Sequence, residues 1–209
     1  MKTAVLTSPE QWFVPYAKQL AERISAALHH SHADMTDGYD VVFILGYHRI
    51  IPAQYLSNNR HNIVIHESDL PHGKGWAPLF WQVIEGRREI VFTMFEAGSG
   101  VDNGDVYMKR TLELTGYELN AELRRKQAEL TMQMCEEFIA NYEEFKTPIG
   151  QSGEETFYKK RTAAHSELDV DKTIREQFNL LRTVDNESYP AFFSVDGKKY
   201  IIKIYGSEE

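Results

Sequence analysis

Residues 62–78 read NIVIHESDLPHGKGWAP. An apolar, β-branched run, Ile63-Val64-Ile65, delivers His66 directly into a loop rich in glycine and proline. In open α/β sheets the chemistry gathers beyond the carboxyl ends of strands, so a titratable ring at that point is a candidate general base. A second candidate, Asp102, lies in GSGVDNG (98–104), after the apolar run REIVFTMFE (88–96). If the two strands run parallel, both loops leave the same edge of the sheet, and imidazole and carboxylate meet in one crevice. There the carboxylate would orient the ring and stabilise its cationic form.

Other polar clusters carry less. GSGVDNG has neither the GxGxxG order nor a Lys-Ser/Thr ending, which argues against a nucleotide phosphate loop. HHSH (29–32) offers three histidines without carboxylate or cysteine, a poor ligand set, and no metal is expected. Lys74 reads equally as a solvated charge or an anion contact.

These residues need a scaffold. TAVLTS (3–8) is a strand-length run, followed by Tyr16, Leu20, Ile24 and Leu28 at helical spacing. DVVFILG (40–46) is apolar throughout, as in a strand covered on both faces. IPAQYLSNN leads to NIVIH, WAPLFWQVIEG to a helix stopped at Gly86, and REIVFTMFE to a further strand. Leu119 to Tyr142 draws a long amphipathic helix. The alternation predicts an α/β fold, a mostly parallel Rossmann-like sheet flanked by helices. The polar stretch KTPIGQSGEET (146–156) reads as a seam, giving a main domain over 1–150 and a small C-terminal subdomain over 151–209. In the latter, DVDKTIREQFNLLRT reads as a helix capped near Asp171, and AFFSVDGKKYIIKIY as a hairpin turning at Asp196-Gly197.

The 209 residues, with 42% hydrophobic and 26% charged, suit one soluble domain with an appendage. A net charge of −8 opposes nucleic acid as the main partner, because that affinity rests on basic side chains. Cys135 is the only cysteine, which suits a reducing, cytoplasmic setting. The opening residues show no signal peptide or membrane span. A homodimer is left open.

HESDLPHGKGWAP resembles the His-x-Ser-x-Leu-Pro-x-x-x-Gly-x-x-Pro signature of the 10-formyltetrahydrofolate-dependent formyltransferases. VDNGD, 36 residues after His66, resembles the aspartate loop that completes their site, and GYHRIIP (46–52) the stretch whose backbone receives the pterin. The resemblance covers roughly residues 40–110. It implies formyl transfer from 10-formyltetrahydrofolate, without a metal, with His66 and Asp102 catalytic. It implies that Ile50, Ile51, Met94, Gly98 and Val101 line the folate site, and that Lys74, Trp76 and Tyr189 face the acceptor. The tail is similar to that of the sugar N-formyltransferases, where helix, Tyr-Pro and hairpin close over the substrate. A nucleotide-linked amino sugar is therefore the expected acceptor. The chain reads as too short for the separate tRNA-binding domain of the initiator enzyme. Glycinamide ribonucleotide formylation, formyltetrahydrofolate hydrolysis and a non-catalytic binding module are the rival readings.

One position breaks the pattern. The family carries Asn two residues before its histidine, and here that residue is Val64. Asn62 shares the strand face but lies a further two residues away. His48, Asn103 or a backbone N–H of the 98–104 loop are the expected substitutes as donor to the developing oxyanion.

Overall fold

The computed structural model describes residues 1–98 and 100–207. The first half runs β1 (Thr3–Leu6), α1 (Val14–Arg23), β2 (Ala27–His29), β3 (Val41–Ile44), α2 (Ala53–Leu56), β4 (His61–His66), β5 (Lys74–Gly75) and α3 (Pro78–Ile84). It continues with β6 (Glu89–Glu96), β7 (Val106–Glu113), α4 (Asn120–Ala140), α5 (Tyr142–Phe145), β8 (Phe157–Tyr158), α6 (Phe178–Leu181), β9 (Ala191–Val195) and β10 (Lys198–Ile202).

Six strands form one sheet in the order β2-β1-β3-β4-β6-β7. β2, β1, β3 and β4 are parallel, as the alternation of strands and helices predicts. β6 and β7 are antiparallel to their neighbours. The sheet is thus mostly parallel, with an antiparallel edge built from a hairpin. β7 is invisible to periodicity because its outer half, Lys109 to Glu113, alternates exposed and half-buried positions at the sheet edge, with Arg110 and Leu112 half-buried and no run of apolar residues. The helical spacing also overreaches at Leu28, which belongs to β2, since the chain turns at Ser25 with φ +52°.

Strand alternation divides the core. Val5, Phe43, Ile63, Phe92 and Met94 face one side, where Leu20 of α1, Leu79 and Val83 of α3, and Leu123 and Phe138 of α4 cover them. Ala4, Leu6, Val42 and Ile44 face the other side, joined by half-buried Ile51, Leu56, Val64 and Ala97. That second face is covered by α2 and by loops, a thinner layer than the helices assumed from the sequence.

The tail carries the expected hairpin. β9 and β10 pair antiparallel around Asp196 and Gly197, both with positive φ (+49° and +76°), the geometry a two-residue turn demands. The expected helix shrinks to α6. Asp171 precedes it by seven residues and bonds through its backbone N–H to the Asp169 carboxylate, forming a turn and not a helix cap. Leu168, Leu181, Val184 and Ala191 form this region's own small core.

Candidate functional site

His66 ends β4 on the face that also carries Asn62 and Val64, by period-two alternation with Ile63 and Ile65 on the other. The premise of two parallel strands fails here: β6 is antiparallel to β4, and Glu96 at its carboxyl end lies opposite Ile63, not His66. The loop after β6 nevertheless folds back. Asp102, with φ +51°, brings Oδ2 to 3.6 Å from His66 Nε2. The pair forms because the nine-residue connection between β6 and β7, 97–105, is long enough to return over the sheet face.

The turn 73–75 joins the two groups. His66 Nε2 lies 2.9 Å from the Gly73 carbonyl, an acceptor only, so this nitrogen carries a proton and Nδ1 is left with the lone pair of the neutral ring. Gly75 N donates to Asp102 Oδ2 at 2.9 Å. Gly75 has φ +98°, and a Cβ there would stand 2.4 Å from the Tyr158 carbonyl oxygen, so glycine is required.

A third segment closes the arrangement, and the sequence reading of a seam at 146–156 missed it. Gln151 Nε2 donates to the carbonyls of Asp102 and Gly104, both at 2.8 Å. Thr156 Oγ1 accepts from Gly73 N at 2.8 Å, and β8 pairs with β5. Tyr158 anchors the strip by donating to Glu85 Oε2 at 2.8 Å, and burial together with that carboxylate pushes its phenol up to about 12. Polar residues beside Pro and Gly mark a loop in sequence, and only long-range pairing shows which loop they serve.

Lys74, expected to face the acceptor, is 1% exposed. Its ammonium bonds to Asn103 Oδ1 and, at 2.6 Å, to Glu155 Oε1, so its hydrogen-bonding capacity is turned inward. Trp76 is exposed, with the Lys160 ammonium 4.9 Å over its ring. Tyr189 sits in a turn of the tail, its carbonyl accepting from Ser166 Oγ, and no bond joins it to the 66–78 loop among the described residues. The tail's anchors run instead to the α3–α4 end of the domain, through Trp81 to the Lys159 carbonyl and Asn120 to the Thr183 carbonyl.

The expected folate contacts divide. Ile50 is 92% exposed, and Gly98 and Val101 are exposed on the Asp102 loop. Ile51 is half-buried and lines a cavity of about 10 Å³ with Leu6, His32, Met35, Ile44 and Tyr55, room for about one water. Met94 is a correction. It is fully buried and faces the helices, opposite to His66, because its cross-strand partner is Ile65. The residues on the side of His66 are Thr93 and Phe95.

Of the expected oxyanion donors, His48 is exposed and held through its backbone N–H by Ser8 Oγ at 3.2 Å. Asn103 sits beside Asp102. Asn62 is committed elsewhere: its amide donates to the Leu56 carbonyl and to Glu96, and accepts from Asn59. Burial raises the pKa of Glu96, against the hydrogen bonds from Tyr107 and Asn62. The histidines of HHSH also go separate ways, His29 to the Tyr39 hydroxyl, His30 to the Thr7 carbonyl and His32 to the Tyr47 hydroxyl.

The backbone fits the folate that the signature implies. Between Tyr47 and Ile51, the hydrogen-bonded groups among the described residues are the Tyr47 hydroxyl and the His48 N–H, and the Tyr47 ring packs on the rings of His32 and His48. The N–H and C=O groups of Arg49, Ile50 and Ile51 therefore remain available to the alternating donors and acceptors of a pterin edge.

The chain is similar to known proteins over most of its length. It is 30% identical over 171 residues to methionyl-tRNA formyltransferase of Rickettsia massiliae, covering 81% of this chain and 55% of that protein. It is 26% identical over 172 residues to the enzyme of the same name from Lachnospira eligens. The chain spans about half the length of these curated relatives. Its fold matches methionyl-tRNA formyltransferase from Clostridium thermocellum with a TM-score of 0.78 at 20% identity, covering 95% of this chain and 90% of that one. It also matches a sugar N-formyltransferase from Shewanella, TM-score 0.72 at 16% identity, covering 100% and 99%. HypX from Aquifex aeolicus, solved with tetrahydrofolic acid, matches with a TM-score of 0.77 at 19% identity over 95% of this chain and 36% of that one. Residues 9–139 match the family described as formyl transferase, and the chain belongs to that family.

Proposed function

We propose that the protein transfers a formyl group from 10-formyltetrahydrofolate to the primary amine of a nucleotide-linked amino sugar. The observation that carries this reading is the His66–Asp102 pair, 3.6 Å apart and held by the signature loop's own Gly73–Gly75 turn. When bound, the folate supplies an activated one-carbon acyl group. The backbone of Arg49, Ile50 and Ile51 holds its pterin, and the glycine-rich loop before Asp102 lets the flat ring approach without side chains in the way.

His66 takes the proton that the attacking amine loses. Its Nδ1 is the receiving atom, because Nε2–H is occupied by the Gly73 carbonyl and Asp102. Asp102 then stabilises the imidazolium, Gly75 N–H keeps the carboxylate aimed at the ring, and the imidazolium returns its proton to N10 as the C–N10 bond breaks and tetrahydrofolate leaves. Asn103 is the group in this loop best suited to meet the negative charge that develops on the formyl oxygen.

Two features support a sugar over tRNA as acceptor. The fold likeness to the sugar N-formyltransferase from Shewanella takes in 100% of this chain and 99% of that one, against 95% and 90% for the methionyl-tRNA formyltransferase from Clostridium thermocellum. The net charge of −8 is adverse to an RNA backbone. The test is incubation with 10-formyltetrahydrofolate and a panel of UDP-, dTDP- and GDP-amino sugars, followed by mass spectrometry. One sugar must gain the mass of a formyl group as tetrahydrofolate appears. Formate release without sugar modification refutes transfer in favour of hydrolysis, and formylation of charged initiator tRNA alone refutes the sugar.

A further inference from the structure

Lys74 is the least expected residue of this site. It is an ammonium at 1% exposure, set between two glycines whose backbones hold His66 and Asp102. A buried lysine must be paired. Here the partners come from both other segments, Asn103 Oδ1 from the Asp102 loop and Glu155 Oε1 from the strip before β8. The Phe157 ring lies 6.0 Å from the ammonium as well.

The pairing has a consequence for Asn103. An ammonium only donates, so the amide oxygen of Asn103 must face it. The two Nδ2 hydrogens are thereby left on the far side of the amide. There Nδ2 lies beside Gly100, 2.7 Å from where a Cβ on that residue would be, and no acceptor is bonded to it among the described residues. The side chain is otherwise exposed. An amide that is fixed at its oxygen, has no acceptor bonded to its nitrogen among the described residues and is adjacent to Asp102 is a preorganised donor.

We propose that Lys74 is a positioning residue, fixing the Asn103 amide so that its Nδ2 hydrogens meet the formyl oxygen in place of the amide that Val64 cannot supply. Lys74 itself touches no substrate. The inference rests on the formyl-transfer reading above but not on the identity of the acceptor.

Asn103→Asp separates the two functions, since a carboxylate still pairs with Lys74 but has no hydrogen to donate. The expected result is a fall in kcat of about a hundredfold, with KM for the folate within about threefold and Tm unchanged. Lys74→Met should lose kcat similarly while Asn103 remains in place, and any loss of Tm identifies how much of that is folding. Turnover by Asn103→Asp within about threefold of the parent overturns the proposal. A second readout needs no turnover. In the wild-type protein labelled with ¹⁵N, the Asn103 side-chain amide signal should shift with a non-transferable N10-formyl folate analogue and not with tetrahydrofolate. An equal shift with both ligands overturns the proposal even if sugar formylation is established. The selective shift upholds it even if every amino sugar tested proves inert.

Discussion

Val64→Asn restores the residue type that the signature carries two positions before its histidine, and it tests whether this site lacks a donor or has been rebuilt. Val64 and His66 share a sheet face, about 7 Å apart at the usual strand rise. Val64 is half-buried beneath α2 and the loops, in the cluster with Ile51, Leu56 and Ala97. Removing its methyl groups from that partial burial costs about 1 kcal/mol. An amide without a partner adds about 1 kcal/mol, the low end of the usual penalty, because the position retains some solvent. The expected loss is therefore about 2 kcal/mol, measurable by urea unfolding. Against this, a missing oxyanion donor regained would lower the barrier by ~3 kcal/mol, roughly a hundredfold in kcat. If Asn103 already fills that role, kcat should stay within about threefold of the parent. A tenfold or greater gain in kcat for Val64→Asn, with Asn103→Ala and His48→Ala near the parent rate, would refute a rebuilt site.

Further outcomes follow from the same geometry. His66→Asn and Asp102→Asn should each lose most turnover while folate binding persists, and the double variant should fall little below the worse single, because the pair works as a unit. Independent, multiplicative losses would exclude that coupling. Gly75→Ala forces a Cβ to 2.4 Å from the Tyr158 carbonyl at φ +98°, so it should lower Tm and open the β5–β8 pairing to limited proteolysis. Cys135 is fully buried, and burial raises its thiol pKa well above the usual range, so a thiol reagent should label it only after unfolding. Glu118 is held down to about 2: burial opposes ionisation, but the N–H groups of Thr115 and Gly116 and the Lys126 ammonium outweigh it. A depressed carboxylate stabilises the fold above its unfolded pKa and loses that effect as pH falls through the folded value. The stability gap between wild type and Glu118→Gln should therefore narrow from about pH 4.5 down to about pH 2 in acid unfolding series.

Much of this protein was written locally. The apolar runs that became β1, β3, β4 and β6, the long helix α4 and the Asp196-Gly197 hairpin are all short-range patterns, since strand and helix periodicity and turn chemistry act within a few residues. The signature around His66 was equally legible, because its glycines, its proline and its histidine are contiguous. The relation of His66 to Asp102 was legible only in outcome. The sequence suggests a parallel pair, whereas β6 turned out antiparallel and the loop returned over the sheet face. Strand direction depends on which neighbour a strand finds, and nothing in REIVFTMFE encodes that. The face of Met94 illustrates the same limit, for one position in register decides between core and cleft. The burial of Lys74 and the recruitment of Gln151, Glu155 and Thr156 lie wholly beyond local reading. These residues are some eighty positions from the turn they brace or fifty from the loop they hold, and their polarity marks an exposed loop until tertiary pairing gives each donor its acceptor.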